Sequence, residues 1–295
     1  MGPDRRRRPR PCNRPAHDGN PLMTAVQTDA DPDRDRRRSA LWPPPAFVAR
    51  RRLLDHPVEV RAHEISSGLT GVGLWCCRTS DLDPAVLAEP ERLGLFGDDD
   101  LRRCRRYHFD RDRHLFIAAH LLLRCVLSRY EPIEPADWRF AANPYGRPEI
   151  ADPAISRRLR FNLSHAAGLA LVGVAREGEV GVDVECADRH ADAAGIARHA
   201  FSDSERRFLQ GLPADESRLA FLRSWTLKEA YAKARGVGLS LPFRDMEFQY
   251  GPDARIAMRL GEGIADRADR WRFEQFSLFD RHIGAIALGS PVPAG

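Results

Sequence analysis

The sequence predicts an α+β protein of two similar lobes, each a long helix packed on a small antiparallel sheet. Two observations lead to this prediction. Each half of the chain holds one long helical stretch, at 101–127 and at 216–235, and each half also holds several short runs rich in β-branched and aromatic residues. Helices and strands mixed in this way are typical of α+β folds. The matching halves suggest pseudo-symmetry, although no sequence repeat links them.

The first 45 residues differ in composition from the rest of the chain. The formal net charge is +4 and the pI is near 8.9, and much of the excess comes from arginines that precede residue 39. This segment is also rich in proline and aspartate and lacks apolar periodicity, so it has little with which to bury a core. We expect residues 1–45 to form a disordered, basic, Arg/Pro-rich tail, within which Met23 offers an alternative start.

The rest of the composition is that of a globular protein. Of the 295 residues, 43% are hydrophobic, which suffices for a substantial core. No apolar run approaches the ~20 residues that span a bilayer, and no signal-peptide segment follows the early arginines. The six cysteines lack metal-ligand spacing. We therefore predict a cytoplasmic protein with reduced thiols and no membrane partner.

Residues 46–177 are predicted to form the N-terminal lobe. Its expected elements are a strand at 69–75, a helix at 84–96 broken near Gly94, a helix at 101–127, and strands at 138–141, 159–163 and 169–175. The long helix starts with a run of arginines and continues into a strongly apolar stretch. We expect a cationic first part and a buried second part.

Residues 178–295 are predicted to form the C-terminal lobe. Its expected elements are a strand at 180–185, a short helix capped by Ser202, a helix at 216–235, and strands at 246–249, 256–260, 271–279 and 283–288. Glu205 follows Ser202 by three residues, the spacing of a capping box. Gly236 and Gly238 come directly after the long helix and are expected to end it.

Two acids occupy alternate positions of the strand at 181–185. Because side chains alternate between the faces of a strand, the carboxylates of Asp183 and Glu185 point from the same face. A divalent cation such as Mg²⁺ would account for two like charges at this spacing, since it takes carboxylate oxygens together with phosphate and water oxygens. A solvated strand face would account for the same pattern, so the strand alone does not decide.

The long helix of the C-terminal lobe places an acid and an ammonium group on one face. Trp225, Glu229 and Lys233 recur at steps of four, so their side chains project together. A Glu–Lys pair at this spacing is also common on exposed helices, where it contributes only about 0.3–0.5 kcal/mol. The helix by itself leaves both interpretations open.

Several short motifs follow one another in a characteristic order. Gly-Val-Asp-Val-Glu at 181–185 precedes Trp-Thr-Leu-Lys-Glu-Ala-Tyr-Ala-Lys at 225–233, and upstream stand Asn-Pro-Tyr-Gly-Arg-Pro at 143–148 and Asn-Leu-Ser-His at 162–165. Phe-Ser-Asp-Ser-Glu at 201–205 lies between the two main motifs. This series resembles the 4′-phosphopantetheinyl transferases, in their longer single-chain, surfactin-synthetase-activating type. The resemblance covers residues 100–245 and, more loosely, 70–290.

The resemblance implies an enzyme that moves 4′-phosphopantetheine from coenzyme A to a serine of an apo acyl or peptidyl carrier protein and releases 3′,5′-ADP. It implies that Asp183, Glu185 and Glu229 hold Mg²⁺ and that Lys233 lies at the coenzyme A pyrophosphate. Glu229, or a water that it orients, is the candidate base for the serine. The variant of the helix motif further implies carriers of polyketide, nonribosomal-peptide or siderophore synthases, recognised by the segment 194–208.

The resemblance also implies a set of coenzyme A contacts. These are Arg103, Tyr145, Gly146, Arg147, Ser164 and His165 from the N-terminal lobe and Lys233 from the C-terminal lobe. Two positions depart from the family pattern. Arg147 stands where many relatives have lysine, which keeps the charge but replaces a point charge with a planar fork. Asp100 stands where some relatives are basic, so we expect fewer phosphate contacts from this helix.

Three other functions fit parts of the sequence. A nucleic-acid-binding protein would use the N-terminal arginines and the basic stretch at 102–113, but it leaves the acidic strand unexplained. The intact acids argue against a carrier-binding module without activity, and the Ser164-His165 match argues against a different magnesium pyrophosphate enzyme. We therefore expect coenzyme A and carrier proteins as partners, no nucleic acid, and a monomer. We also expect the acids to be exposed cleft residues that contribute little to packing.

Overall fold

The computed structural model describes residues 47–53, 56–188, 193–251, 255–279 and 281–291. The tail predicted at 1–45, with Met23, lies outside the described residues. The described part combines runs of antiparallel strands with runs of helices, which confirms the predicted α+β class.

The elements are numbered in chain order. The strands are β1 (Phe47–Leu53), β2 (His56–Ile65), β3 (Val72–Arg78), β4 (Phe140–Ala142), β5 (Pro148–Ile150), β6 (Arg160–Ala166), β7 (Leu169–Ala175), β8 (Glu179–Cys186), β9 (Met246–Tyr250), β10 (Ile256–Leu260), β11 (Trp271–Leu278) and β12 (His282–Gly289). The helices are α1 (Pro84–Ala88), α2 (Asp98–Arg105), α3 (Asp110–Leu127), α4 (Pro153–Ser156), α5 (Ala193–Ala200), α6 (Asp203–Gly211) and α7 (Ala214–Arg235).

The larger sheet described belongs to the N-terminal half. Its five strands follow the order β1-β2-β3-β7-β6 and are antiparallel. One face of β3 and β7, with Trp75 and Val172, packs against the apolar side of α3. Helix α3 is therefore the buried helix that the sequence predicts.

The helix predicted at 101–127 is divided in two. Helix α2 ends at Arg105, and Phe109 is extended, with φ −106° and ψ 137°, before α3 begins. The interruption lets the ring of Tyr107 lie 5.5 Å from that of Phe116, centroid to centroid. Asp110 and Asp112 then fall in the first turn of α3, where acids complement the helix dipole.

A three-stranded sheet, β11-β12-β8, carries the C-terminal half. One of its faces, with Val182 and Ile286, packs against the side of β3 and β7 that α3 does not cover. The opposite face, with Ala285 and Ala287, packs against α7. The layers therefore run α3, five-stranded sheet, three-stranded sheet, α7, and β8 lies between the two halves.

Side chains join the two sheets at the edge of β8. The Oδ1 of Asn162 accepts a hydrogen bond from the backbone N–H of Val182 at 2.9 Å, and the Oγ of Ser164 accepts one from the N–H of Val184 at 3.3 Å. Because Asn162 and Ser164 are two residues apart on β6, they meet alternate N–H groups of β8. The edge of β8 is thus satisfied by side chains in place of a backbone partner.

Most predicted strands match observed ones within a few residues, but strands β1, β2 and β5 and helices α4 and α5 were not predicted. The hairpin of β1 and β2 precedes the first strand expected from the sequence, and the short strand β5 pairs with β4. The capping box predicted at Ser202 and Glu205 is present, with both of its reciprocal hydrogen bonds. Among the described residues, no helix has the length and hydropathy that a membrane-spanning segment requires.

Candidate active site

A cavity of about 710 Å³ opens where β6, β8 and α7 meet. Its lining includes Ser164 and His165 from β6, Asp183 and Glu185 from β8, and Trp225, Glu229 and Lys233 from α7. The structure therefore brings together the acidic strand and the helix face that the sequence analysis singled out separately. Each residue's chemical role remains a prediction.

Gly181 sets how closely β8 and α7 approach. A Cβ atom at this position would lie 2.0 Å from the carbonyl oxygen of Ala230 and 2.3 Å from the backbone nitrogen of Ala234. Only glycine permits such an approach, because any side chain would collide with the helix backbone. The first residue of the Gly-Val-Asp-Val-Glu motif thus allows Asp183 to reach Lys233.

Lys233, Asp183 and Ser164 form a three-membered polar cluster. The Nζ of Lys233 lies 2.6 Å from Oδ1 of Asp183 and 2.9 Å from Oγ of Ser164, which itself donates to the same Oδ1 at 3.0 Å. The second oxygen of Asp183, Oδ2, is buried and receives no hydrogen bond from the described residues. The cluster therefore has one buried acceptor that is left for a ligand.

The acids are less exposed than expected. Asp183 is 4% and Glu185 7% exposed, so the expectation that they are exposed cleft residues is wrong. Burial, followed by the nearby carboxylates of Asp183 and Glu185, raises the pKa of Glu229 to about 7, although Lys233 offsets part of the effect. The cavity lining has an excess of negative charge that a cation would neutralise, because it holds Asp112, Asp183, Glu185, Asp188 and Glu229 against Lys233 and Arg281.

His165 stands at the side of the cavity. Two effects lower the pKa of its imidazole: burial, which is the larger, and the positive charge of Lys233. The ring is therefore neutral at neutral pH, and it can offer either a donor or an acceptor to a ligand. Asp112, from the first turn of α3, lies across the same cavity and was not singled out from the sequence.

The remaining predicted coenzyme A contacts do not line this cavity. The Arg103 guanidinium lies over the Phe116 ring, 5.4 Å from its centroid, and Phe116 in turn contacts Tyr107 of the cavity lining. Tyr145 is 60% exposed at the tip of the loop between β4 and β5, and Gly146 beside it has φ +85°. The side chain of Arg147 turns toward the end of α7 instead.

Sequence reasoning did not identify Lys228, which precedes Glu229 but points into the core. Its Nζ has no exposed surface and lies within 3.1 Å of four oxygens: Oε2 of Glu205 and the carbonyl oxygens of Ala200, Phe243 and Met246. Lys228 therefore joins α7 to the capping box of α6. Spacing gave no signal for this role, because Lys228 and Lys233 both look like surface lysines in the sequence.

The acids of the cavity would supply only part of the coordination shell of a metal ion. Within the described ranges, no group of three or more His, Cys, Asp or Glu side chains converges closely enough to hold a metal ion by itself. Mg²⁺ commonly uses only one or two carboxylates and completes its shell with phosphate oxygens and water. The arrangement of Asp183, Glu185 and Glu229 is compatible with that smaller requirement.

Comparison with known proteins decides the family. Residues 93–177 match a family model described as 4′-phosphopantetheinyl transferase, N-terminal, and residues 179–287 match that of the 4′-phosphopantetheinyl transferase superfamily. The 4′-phosphopantetheinyl transferase HetI of Nostoc sp. is 35% identical over 190 residues, which cover 64% of this chain and 77% of that protein. The chain belongs to the 4′-phosphopantetheinyl transferase superfamily.

A second relative agrees with this assignment. The 4′-phosphopantetheinyl transferase ffp of Bacillus subtilis is 33% identical to the transferase over 180 residues, or 61% of this chain and 78% of that protein. A holo-(acyl-carrier-protein) synthase from Bacillus anthracis, solved in complex with CoA, covers 39% of the transferase at 18% identity with a TM-score of 0.32, and 98% of its own chain is matched. The enzyme class and the longer type that the sequence predicted are confirmed.

Proposed function

We propose that this transferase moves 4′-phosphopantetheine from coenzyme A to a serine of an apo acyl or peptidyl carrier protein and releases 3′,5′-ADP. The observation that carries the proposal is the meeting of Asp183, Glu185, Glu229 and Lys233 in one cavity. Both charge signs are needed there: oxygens to hold a cation against a pyrophosphate, and a fixed ammonium group to neutralise the leaving phosphate.

Asp183, Glu185 and Glu229 are the residues that would hold Mg²⁺. The buried Oδ2 of Asp183 lacks a hydrogen bond from the described residues, and carboxylate oxygens are the donors that this hard cation prefers. When bound, the ion would neutralise charge on the coenzyme A pyrophosphate.

Glu229 and Lys233 carry the proposed chemistry of the protein itself. Glu229, directly or through a water, takes the proton of the carrier serine hydroxyl, which attacks the phosphate that bears the pantetheine arm. The bond between that phosphorus and the bridging pyrophosphate oxygen breaks, and 3′,5′-ADP leaves. The pKa of Glu229 is about 7 in the ligand-free protein, and a bound cation would lower it and so keep the carboxylate ionised to accept the proton. Lys233 supplies positive charge to the phosphates, and Ser164 holds its ammonium group in place.

We propose further that the nucleotide end of coenzyme A meets the N-terminal lobe. His165 lines the cavity beside Lys233, and the exposed Tyr145 next to Gly146 offers an aromatic face for adenine. Arg103 supplies positive charge behind the cavity wall. Arg147 belongs to the loop between β4 and β5 that carries Tyr145 and Gly146.

The proposal also covers the lobes of the protein, its oligomeric state and its carrier partners. We propose pseudo-symmetric lobes at 46–177 and 178–295, the second of which contacts the carrier through residues 194–208. The layered order of α3, two sheets and α7 supports this division. Because both walls of the cavity come from one chain, we also propose a monomer. The carriers proposed are those of polyketide, nonribosomal-peptide or siderophore synthases in the cytoplasm, with no nucleic acid involved.

The test is 3′,5′-ADP release from coenzyme A in the presence of an apo carrier protein and Mg²⁺. Release should need the carrier serine, so a carrier with alanine at that position serves as the control. Mn²⁺ binding in the presence of coenzyme A, followed by electron paramagnetic resonance, should weaken in Asp183→Asn and Glu185→Gln. Unchanged Mn²⁺ binding in both variants would contradict the metal assignment, while absent release would contradict the function.

A further inference from the structure

The loop between β4 and β5 grips the C-terminal end of α7. We propose that Asn143 and Arg147 form a clamp that fixes the backbone of Lys233, so that Arg147 acts as a positioning residue through Lys233. This inference rests on the proposed function, because the lysine that the clamp holds is the one assigned to the pyrophosphate.

Arg147 makes the central contacts of the clamp. Its Nη1 donates to the carbonyl oxygen of Lys233 at 3.0 Å and to that of Ala234 at 2.7 Å. Its Nη2 donates to Oε1 of Glu149 at 2.7 Å, which holds the planar group in this orientation. The guanidinium therefore caps two carbonyl oxygens in the last turn of α7, of which that of Lys233 also accepts from the N–H of Gly236 at 3.1 Å.

Asn143 makes the second contact and shapes the loop. Its Nδ2 donates to the carbonyl oxygen of Gly236 at 2.8 Å. Its Oδ1 accepts from the backbone N–H groups of Tyr145 and Arg147, both at 2.9 Å. The same side chain thus fixes the loop that carries Arg147 and the first residue beyond α7.

Gly236 is part of the fit. It ends α7 with φ +66°, and a Cβ atom there would lie 2.7 Å from Cζ of Arg147. The guanidinium therefore packs directly against the turn that closes the helix. The Arg147 side chain is only 20% exposed, its Nε is buried without a hydrogen bond from the described residues, and it does not line the cavity. The guanidinium group of Arg147 therefore lies against the C-terminal end of α7 and not in the cavity.

The clamp affects the cavity because Lys233 belongs to both: its backbone is part of the clamp, and its side chain is part of the cavity. Its carbonyl oxygen is held by Arg147 from the N-terminal lobe, while its Nζ lies 2.6 Å from Asp183 in the cavity. A small shift of the last helical turn would move the ammonium group by a similar distance, and misplacement of about 1 Å can cost roughly a hundredfold in rate. A lysine at position 147 could not donate to both carbonyls and to Glu149 with the same geometry.

The experiment compares Arg147→Ala and Arg147→Lys in the full chain, with the same substitutions at the exposed Arg157 as matched controls. We expect kcat for pantetheine transfer to fall roughly 10- to 100-fold in both Arg147 variants. The Kd for 3′,5′-ADP, measured by calorimetry, should stay within about threefold of the wild-type value. Guanidinium ion added at low concentration should restore turnover in Arg147→Ala but not in Arg147→Lys, because only the first leaves a space for it.

Two outcomes would overturn the clamp. One is a loss of 3′,5′-ADP affinity in Arg147→Ala that equals or exceeds the loss of kcat, which would make Arg147 a direct ligand contact. The other is wild-type kcat in Arg147→Lys. If Arg147→Ala does not fold, Arg147→Lys carries the same prediction, because it keeps the charge and most of the volume.

A failure of the proposed function would be seen separately. If the wild-type protein transfers nothing to any carrier, the function is wrong, and the clamp is then tested by amide hydrogen exchange at residues 232–236. Exchange there should be faster in Arg147→Lys than in Arg157→Lys. Equal exchange in the two variants would overturn the clamp.

Discussion

Glu229 lies where its negative charge is disfavoured in the ligand-free protein. Burial and the carboxylates of Asp183 and Glu185 together raise its pKa to about 7, from the usual 4.5 of a glutamate side chain. Such destabilising charge is typical of functional sites, because a bound cation or substrate recovers the free energy that the empty site gives up. The cavity is therefore arranged for binding at some expense to folding.

Glu229→Gln is expected to stabilise the ligand-free protein while it abolishes transfer. A carboxyl group whose pKa is raised in the folded state disfavours folding when ionised, so the penalty is full above about pH 7 and absent below about pH 4.5. The variant should raise the free energy of unfolding by about 1–3 kcal/mol near pH 8, with little effect near pH 4.5.

Urea denaturation in EDTA measures this difference, and the exposed Glu177→Gln is the matched control. The control should change stability little at either pH. An equal effect of the two substitutions near pH 8 would show that Glu229 is not held in an unfavourable environment.

At the scale of elements, the site depends on the contact between β8 and α7. Gly181 brings the strand backbone against Ala230 and Ala234, and this approach sets the distance from Asp183 to Lys233. Lys228 fixes the other side of the same helix to α6. The helix that carries the site is thus held at a strand, at a neighbouring helix and at its C-terminal end.

Gly181→Ala is expected to separate β8 from α7. The added methyl group would lie 2.0 Å from a backbone oxygen that cannot rotate away, so the helix must shift. We predict a loss of about 2–3 kcal/mol in the free energy of unfolding, together with reduced transfer. Chemical denaturation and a transfer assay measure the two effects.

Gly211→Ala is the control for Gly181→Ala. A Cβ atom at Gly211, in the last turn of α6, meets nothing within 4 Å, so the substitution should leave stability and transfer near the wild-type values. The close-approach interpretation fails if Gly181→Ala is as stable as Gly211→Ala.

Lys228→Met and Lys233→Met should have opposite signatures. Loss of the Lys228 ammonium group leaves the carboxylate of Glu205 and three carbonyl oxygens buried without their partner, which should cost about 3–5 kcal/mol of stability. Lys233 is 30% exposed, so its replacement should abolish transfer at a smaller cost in stability. A denaturation midpoint for Lys228→Met at or above that of Lys233→Met would contradict the assignment.

At the scale of the whole molecule, the sequence predicted elements better than their arrangement. The strand at 169–175 was predicted with its observed bounds, because its seven residues form a continuous apolar run between turns. The break at Arg106–Phe109 was missed, since arginine is compatible with a helix and no proline or glycine marks the interruption. The order β11-β12-β8 depends on long-range pairing that local pattern does not encode.

In the candidate site, too, local sequence pattern predicted some residues, while others depend on long-range packing. Alternation in β8 and the step of four in α7 singled out Asp183, Glu185, Glu229 and Lys233, and the order of the motifs, through the family that it resembles, implied that they act together. The partners that hold these residues could not be found in this way. Asn162 acts through a strand edge, and Lys228 differs from Lys233 only in burial, which the sequence does not reveal. Both depend on tertiary packing between segments that are distant in the chain.

The most direct test of the account is the intact mass of an apo carrier protein after incubation with this transferase, coenzyme A and Mg²⁺, with a parallel incubation in EDTA. The account predicts that the carrier gains the mass of one phosphopantetheine group, that the gain requires the carrier serine, and that EDTA prevents it. The account would be contradicted if carriers from several pathways all kept their mass and the transferase also failed to bind coenzyme A.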